Sequence, residues 1–225
     1  MMRALAGVIS QPLPPSSLLV DLESWWTMDS APATMNDAHG SLSLIRAGSP
    51  TSVAGHIGNA VSFVAYNDTY YATRDNTLHL AYATTPFTMA AWVKAGTYLV
   101  NQGVFGRWST AAGWGALQFG GNWQGRFQNT YLDSGIVVST TQYQLVIIWR
   151  DTGANVFGIQ VDQNTPATMA DYTLTTANYT FAIGRIYTNE MTGIIDEAAI
   201  WNRALTADER ALLYNGGSGI AYGDL

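Results

Sequence analysis

The sequence predicts an all-β chain, an antiparallel sandwich or barrel with one short C-terminal helix, and three observations carry that expectation. Its apolar runs are short and lie between turn clusters rich in Gly, Asn, Asp and Pro, a punctuation that marks packed strands rather than βαβ units. Only 12% of the 225 residues are charged, while eight Trp, twelve Tyr and 22 Gly give the aromatic, Gly-rich balance of a sheet protein. One segment alone, Thr206-Ala-Asp-Glu209, has the S/T-x-x-E spacing of a helix capping box, in which two side chains satisfy orphan N–H groups reciprocally.

The elements follow in order. Residues 1–17 end in Pro12-Leu-Pro-Pro-Ser-Ser17, which cannot enter a central strand and favours polyproline geometry, so they are expected to be an arm or linker. Residues 18–225 form one domain, a size that all-β sandwiches reach with a single core. Strand-like runs fall at Leu18–Met28, Ala60–Ala65, Phe87–Val93, Gly115–Phe119, Gln144–Trp149, Val156–Val161, Phe181–Ile186 and Gly193–Trp201. In the third, Phe87, Met89, Ala91 and Val93 alternate with Thr88, Ala90, Trp92 and Lys94, the period of a strand with one face buried. The helix is expected over Ala207–Tyr214, stopped by Asn215-Gly-Gly217 as a C-cap.

Composition also excludes classes. Without cysteine there are no disulfides or thiolate metal sites. A net charge of −6 with Lys94 as the only lysine offers no footprint for nucleic acid. No apolar run approaches the roughly 18 residues of a membrane helix, and the apolar stretch near Met1 is shorter than a secretory core. The three histidines are isolated, and no G-x-S-x-G, H-E-x-x-H or P-loop spacing occurs.

Six motifs in a fixed order carry a resemblance: Glu23-Ser-Trp-Trp-Thr-Met-Asp29, Gly58-Asn-Ala-Val-Ser-Phe63, Phe87-Thr-Met-Ala-Ala-Trp-Val93, Phe181-Ala-Ile-Gly-Arg185, Gly193-Ile-Ile-Asp-Glu197 and Asn202-Arg-Ala-Leu-Thr-Ala-Asp-Glu209. From about Leu19 to Tyr222 the chain thereby resembles the laminin-G-like domains of the concanavalin A-like lectin/glucanase superfamily. The resemblance implies a two-sheet antiparallel jelly-roll sandwich whose first and last strands lie side by side. It does not fix a ligand, because lectins, hydrolases, adhesion modules and virion proteins share the fold. Glycoside hydrolases of this fold resemble one another in an E-x-D-x-x-E strand, and the four glutamates here, Glu23, Glu190, Glu197 and Glu209, lie far apart in sequence. The chain is therefore expected not to be an enzyme.

Two groups of residues are candidates for a site. If the first and last strands are neighbours, Asp29, Asp196 and Glu197 converge, with Asn36 and Asp37 in the next loop. Together they form an oxygen set of the kind that holds Ca²⁺, which related modules carry as a structural ion. The alternative is that these carboxylates cap turns and bind backbone or Arg185. Second, Arg107-Trp-Ser-Thr-Ala-Ala-Gly-Trp114 and Gly120-Gly-Asn-Trp-Gln-Gly-Arg126 read as aromatic loops in which Trp108, Trp114, Asn122, Trp123 and Arg126 bind a partner protein or a glycan, the remaining alternative being that the rings simply pack on the sandwich. The sequence also looks like laminin-G-like proteins of tailed phages and environmental bacteria. The leading expectation is an attachment or decoration protein on a virion surface, docked on a capsid or tail protein, with self-association open. The alternative is a lectin-like module, extracellular or at a cell surface.

Overall fold

The computed structural model describes residues 13–64, 67–72, 85–97, 100–108, 113–171 and 180–225. In chain order its strands are β1 (Leu22–Trp26), β2 (Thr34–Met35), β3 (Leu44–Ala47), β4 (Thr51–Ala54), β5 (Asn59–Phe63), β6 (Thr69–Tyr71), β7 (Phe87–Ala95), β8 (Gln102–Trp108) and β9 (Gly113–Phe119). They continue as β10 (Asn122–Phe127), β11 (Thr130–Val137), β12 (Gln144–Asp151), β13 (Val156–Val161), β14 (Ala167–Ala170), β15 (Phe181–Ile183), β16 (Arg185–Ile186), β17 (Asn189–Glu190) and β18 (Gly193–Trp201), followed by the helix α1 (Ala207–Tyr214). Among the described residues these build two large antiparallel sheets and the small β16–β17 hairpin. One runs β14-β13-β12-β7-β18-β5-β4, with β1 also on β18; the other runs β11-β10-β9-β8-β15-β6-β3-β2. This is the expected sandwich, and the first and last strands do lie side by side, Trp25 opposite Ala199 and Trp26 opposite Ala198.

Alternation of side chains sorts the core. Met89, Ala91 and Val93 point between the sheets and join Trp26, Phe105, Trp114, Trp123 and Phe157 in the main cluster. Their neighbours Ala90 and Trp92 point the other way, yet are buried too. The expectation of one buried face on β7 is corrected here, because a second cluster of Trp25, Trp92, Leu145, Trp149, Trp201 and Leu213 fills the outer face of that sheet beneath α1. The helix starts as expected: the Thr206 hydroxyl accepts from the Glu209 N–H, the Glu209 carboxylate accepts from the Thr206 N–H, and Asn215 caps the end at φ 48°.

The segment expected to be an arm is not wholly separate from the domain. Pro15–Leu19 forms a 3-10 turn in which Leu18 is fully buried. The Trp201 indole donates to the Leu18 carbonyl at 2.7 Å, and Arg203 donates to the carbonyls of Ser17 (3.0 Å) and Val20 (2.9 Å) while pairing with Glu209.

β18 changes neighbour partway along its length. Ile194 and Ile195 pair with β5, Ala198 to Trp201 pair with β1, and β7 runs along the other edge with a bulge between Asp196 and Ala199. The two acidic residues occupy this switch.

Candidate functional site

The acidic set comes together only in part. Asp196 is fully buried; its Oδ2 accepts from the His56 and Ile57 N–H groups at 2.8 and 2.9 Å, and its Oδ1 has no partner among the described residues. Burial pushes its pKa up to about 7, against the pull of those backbone bonds, and the Asp29 charge adds to the rise. Glu197, at φ 47° in the bulge, accepts from the Trp25 indole N–H. Burial raises it to about 8, with the charges of Asp196, Asp29 and Asp224 adding. Asp29 is exposed and accepts from the Asn59 N–H at 3.1 Å. Asp37 serves the backbone instead. Its two oxygens accept the N–H groups of Trp25, His39, Gly40 and Leu42 at 2.9–3.0 Å, so it folds the 37–42 loop onto β1. Asn36 is exposed beside it.

A calcium ion needs six to eight oxygens directed at one point. Among the described residues no three His, Cys, Asp or Glu are placed to share an ion. N–H donors meet both oxygens of Asp37, Oδ2 of Asp196 and the Glu197 carboxylate, the kind of partner expected on the alternative reading, while Asp196 Oδ1 faces no donor among the described residues.

The aromatic set divides by the period of a strand. The stretches read as loops are largely β8, β9 and β10, and Trp114 and Trp123 are 0% exposed core residues. That corrects the expectation that they bind a partner or a sugar: both point inward, and Trp123 donates its indole N–H to Gln144 Oε1 at 2.7 Å. Trp108 ends β8, and its side chain lies outside the described residues.

Asn122 and Arg126, on the same strand as Trp123 but one residue out of phase, point to the outer face. There the structure adds residues the sequence reading missed. Phe119, opposite Asn122, and Tyr131, opposite Arg126, bring their rings to a centroid distance of 4.9 Å, and the Arg126 guanidinium lies 4.8 Å from the Tyr131 ring centre. The two rings keep 37% and 40% of their surface exposed. Burial lowers the Arg126 pKa, with the Tyr131 hydroxyl acting against it. Beside them Asp133 accepts from Asn122 Nδ2 (3.1 Å), Gln124 Nε2 (3.1 Å) and the Gly135 N–H (2.7 Å).

One wall of this face is the β16–β17 hairpin. Ile186 sits so close over the sheet that a Cβ on Gly115 would fall 2.5 Å from its Cδ1, and one on Gly103 would fall 2.2 Å from its backbone N. Gly115 pairs with Arg126 across β9 and β10, so the hairpin covers the strand that neighbours Arg126. The result is a strip of stacked Phe, Tyr and Arg bordered by amides and a carboxylate, carried on a sheet whose other face is the main core. The signal was present in the alternation Asn122, Gln124, Arg126 against Trp123, Gly125, Phe127.

The chain belongs to the concanavalin A-like lectin/glucanases superfamily, whose family profile matches residues 66–209. Among solved structures it is similar to domain 4 of AbnA, a GH43 extracellular arabinanase from Geobacillus stearothermophilus, in complex with arabinotriose. That likeness has 15% identity, 85% of this chain and 97% of that one covered, and a TM-score of 0.67. It is also similar to the binding domain of Paraclostridial Mosquitocidal Protein 1 (12% identity, 89% and 53% covered, TM-score 0.71). A third is Trypanosoma rangeli sialidase (13% identity, 90% and 34% covered, TM-score 0.68). The chain thus spans about half of the mosquitocidal chain and a third of the sialidase, and at these identities the likeness is one of fold. No curated protein sequence matches significantly.

Proposed function

We propose that this protein is a non-enzymatic glycan-binding module that takes its ligand on the outer face of β9, β10 and β11. The observation that carries this reading is the Phe119–Tyr131–Arg126 stack, partly exposed on a rigid sheet and edged by Asn122, Gln124 and Asp133. An aromatic ring covers the apolar face of a sugar, while amides, carboxylate and guanidinium are the donors and acceptors that fix its hydroxyls. The solved relatives that carry arabinotriose or sialic acid in their complexes support the class of ligand.

A non-catalytic role fits the placement of the acids. The carboxyls with strongly raised pKa, Asp196 and Glu197, are 0% and 6% exposed and sit on the opposite sheet behind Trp25. Docking on a larger assembly, the leading expectation from the sequence, rested on the N-terminal arm and on Trp108, Trp114 and Trp123, of which Trp114 and Trp123 are core residues.

The test is binding of the wild-type protein, Phe119→Ala and Tyr131→Ala to an array of immobilised oligosaccharides. Wild-type binding should fall by about tenfold or more in either variant at unchanged melting temperature, the loss expected for one aromatic contact. Variants that bind as wild type overturn the placement of the site, and release of reducing sugar by the wild type overturns the non-enzymatic reading.

A further inference from the structure

Gln124 stands out on the proposed face. It points outward from β10, in register with Leu117 on β9 and Asp133 on β11, so it lies between the row that carries Phe119 and the row that carries Tyr131. Although it is on the outer surface, it is only 7% exposed.

The orientation of its amide is dictated by its neighbours. Nε2 donates to Asp133 Oδ2 at 3.1 Å and to the Phe119 carbonyl at 3.4 Å, and a flipped amide would set its oxygen against two acceptors. Oε1 is therefore the opposite end, and it is buried with no hydrogen-bond partner among the described residues. Folded proteins leave few such acceptors unmet, because a buried unpaired oxygen forfeits its bond to water without a replacement.

Building on the glycan reading, we infer that Gln124 is the specificity-determining residue of this face, its Oε1 accepting a hydrogen bond from a hydroxyl of the bound saccharide while the sugar ring stacks on Tyr131 or Phe119. Both rings are more than a third exposed, which leaves them room to part and admit the hydroxyl. A buried acceptor of this kind rejects a ligand lacking the donor more strongly than an apolar pocket rejects a change in size. Asp133, held by Asn122 Nδ2 and the Gly135 N–H as well as by Gln124, keeps the amide in place.

The experiment applies Gln124→Met and Gln124→Asn to the same oligosaccharide array, beside the wild type and Tyr131→Ala. Methionine keeps the length of the side chain and removes the acceptor; asparagine keeps the amide and withdraws it by one methylene. Both should lose about tenfold or more of the wild-type signal, the value of one hydrogen bond made on binding. If Gln124→Met does not fold, Gln124→Asn decides. Retained binding in the Gln124 variants with loss in Tyr131→Ala overturns this inference alone. Wild-type binding that survives in Tyr131→Ala overturns the placement of the site on this face, an array to which the wild type does not bind overturns the glycan reading, and this inference falls with either.

Discussion

Asp196→Asn should make the protein more stable than the wild type at pH 8 and leave it nearly unchanged at pH 4. The folded Asp196 has a pKa of about 7 against an ordinary 3.8. A carboxyl raised in the folded state contributes stability that is fully present below its unfolded pKa and is lost as pH rises through the folded one. Between about pH 4 and 7 the unfolded chain is ionised at this site while the folded one holds its proton. Each pH unit then removes about 1.4 kcal/mol, or about 4 kcal/mol over the window. Glu197, raised from 4.5 to about 8, extends the loss in the same direction to higher pH. The two carboxyls are adjacent and coupled, so their contributions do not add. For a domain of this size about 4 kcal/mol corresponds to roughly 8–16 °C in melting temperature. Asparagine retains an oxygen to accept from His56 and Ile57, so Asp196→Asn removes the ionisation and keeps the bonds. The assay is thermal unfolding followed by circular dichroism from pH 4 to 9, in chelator and in excess calcium. Curves of wild type and variant that stay parallel across this range would refute the reasoning. A wild-type curve lifted by calcium at pH 8, with no lift in the variant, would show instead that an ion compensates the buried charge.

Two further outcomes follow from the packing. Trp123→Ala, which empties a fully buried core position and deprives Gln144 of its indole partner, should lower unfolding free energy by about 3–5 kcal/mol in urea titration; an unchanged midpoint would mean that the ring is not part of the core. A chain beginning at Val20 loses the buried Leu18 and the carbonyls that serve Trp201 and Arg203, and should unfold about 3 kcal/mol more easily, whereas equal stability would mean that these contacts add nothing to the fold.

Much of the architecture was legible in the residues because it rests on local periodicity. The alternation in Phe87–Val93 defined two faces, and the Thr206–Glu209 spacing with Asn215-Gly defined the helix and both of its caps; these depend only on neighbours within a few residues. The polar strands were harder to read. Asn122-Trp-Gln-Gly-Arg-Phe127 has the same period, yet half its positions are polar because its outer face meets solvent, so composition alone marked it as loop. Which face of a strand is buried is set by what lies across the sandwich, and on β7 the helix covers the second face, which no alternation in the strand itself reveals.

The candidate sites divide in the same way. The sequence determined that Asp196 and Glu197 stand next to each other and that tryptophan, amide and arginine cluster around β10. Only the tertiary structure decided that β18 switches from β5 to β1 at those two acids, so that backbone N–H groups and an indole meet them inside the protein. The fold also turned Trp114 and Trp123 inward and brought Phe119 and Tyr131, twelve residues apart and on different strands, into a stack beside Arg126. Contacts of that kind depend on register between strands, and register is fixed by the whole sheet rather than by the residues that happen to touch.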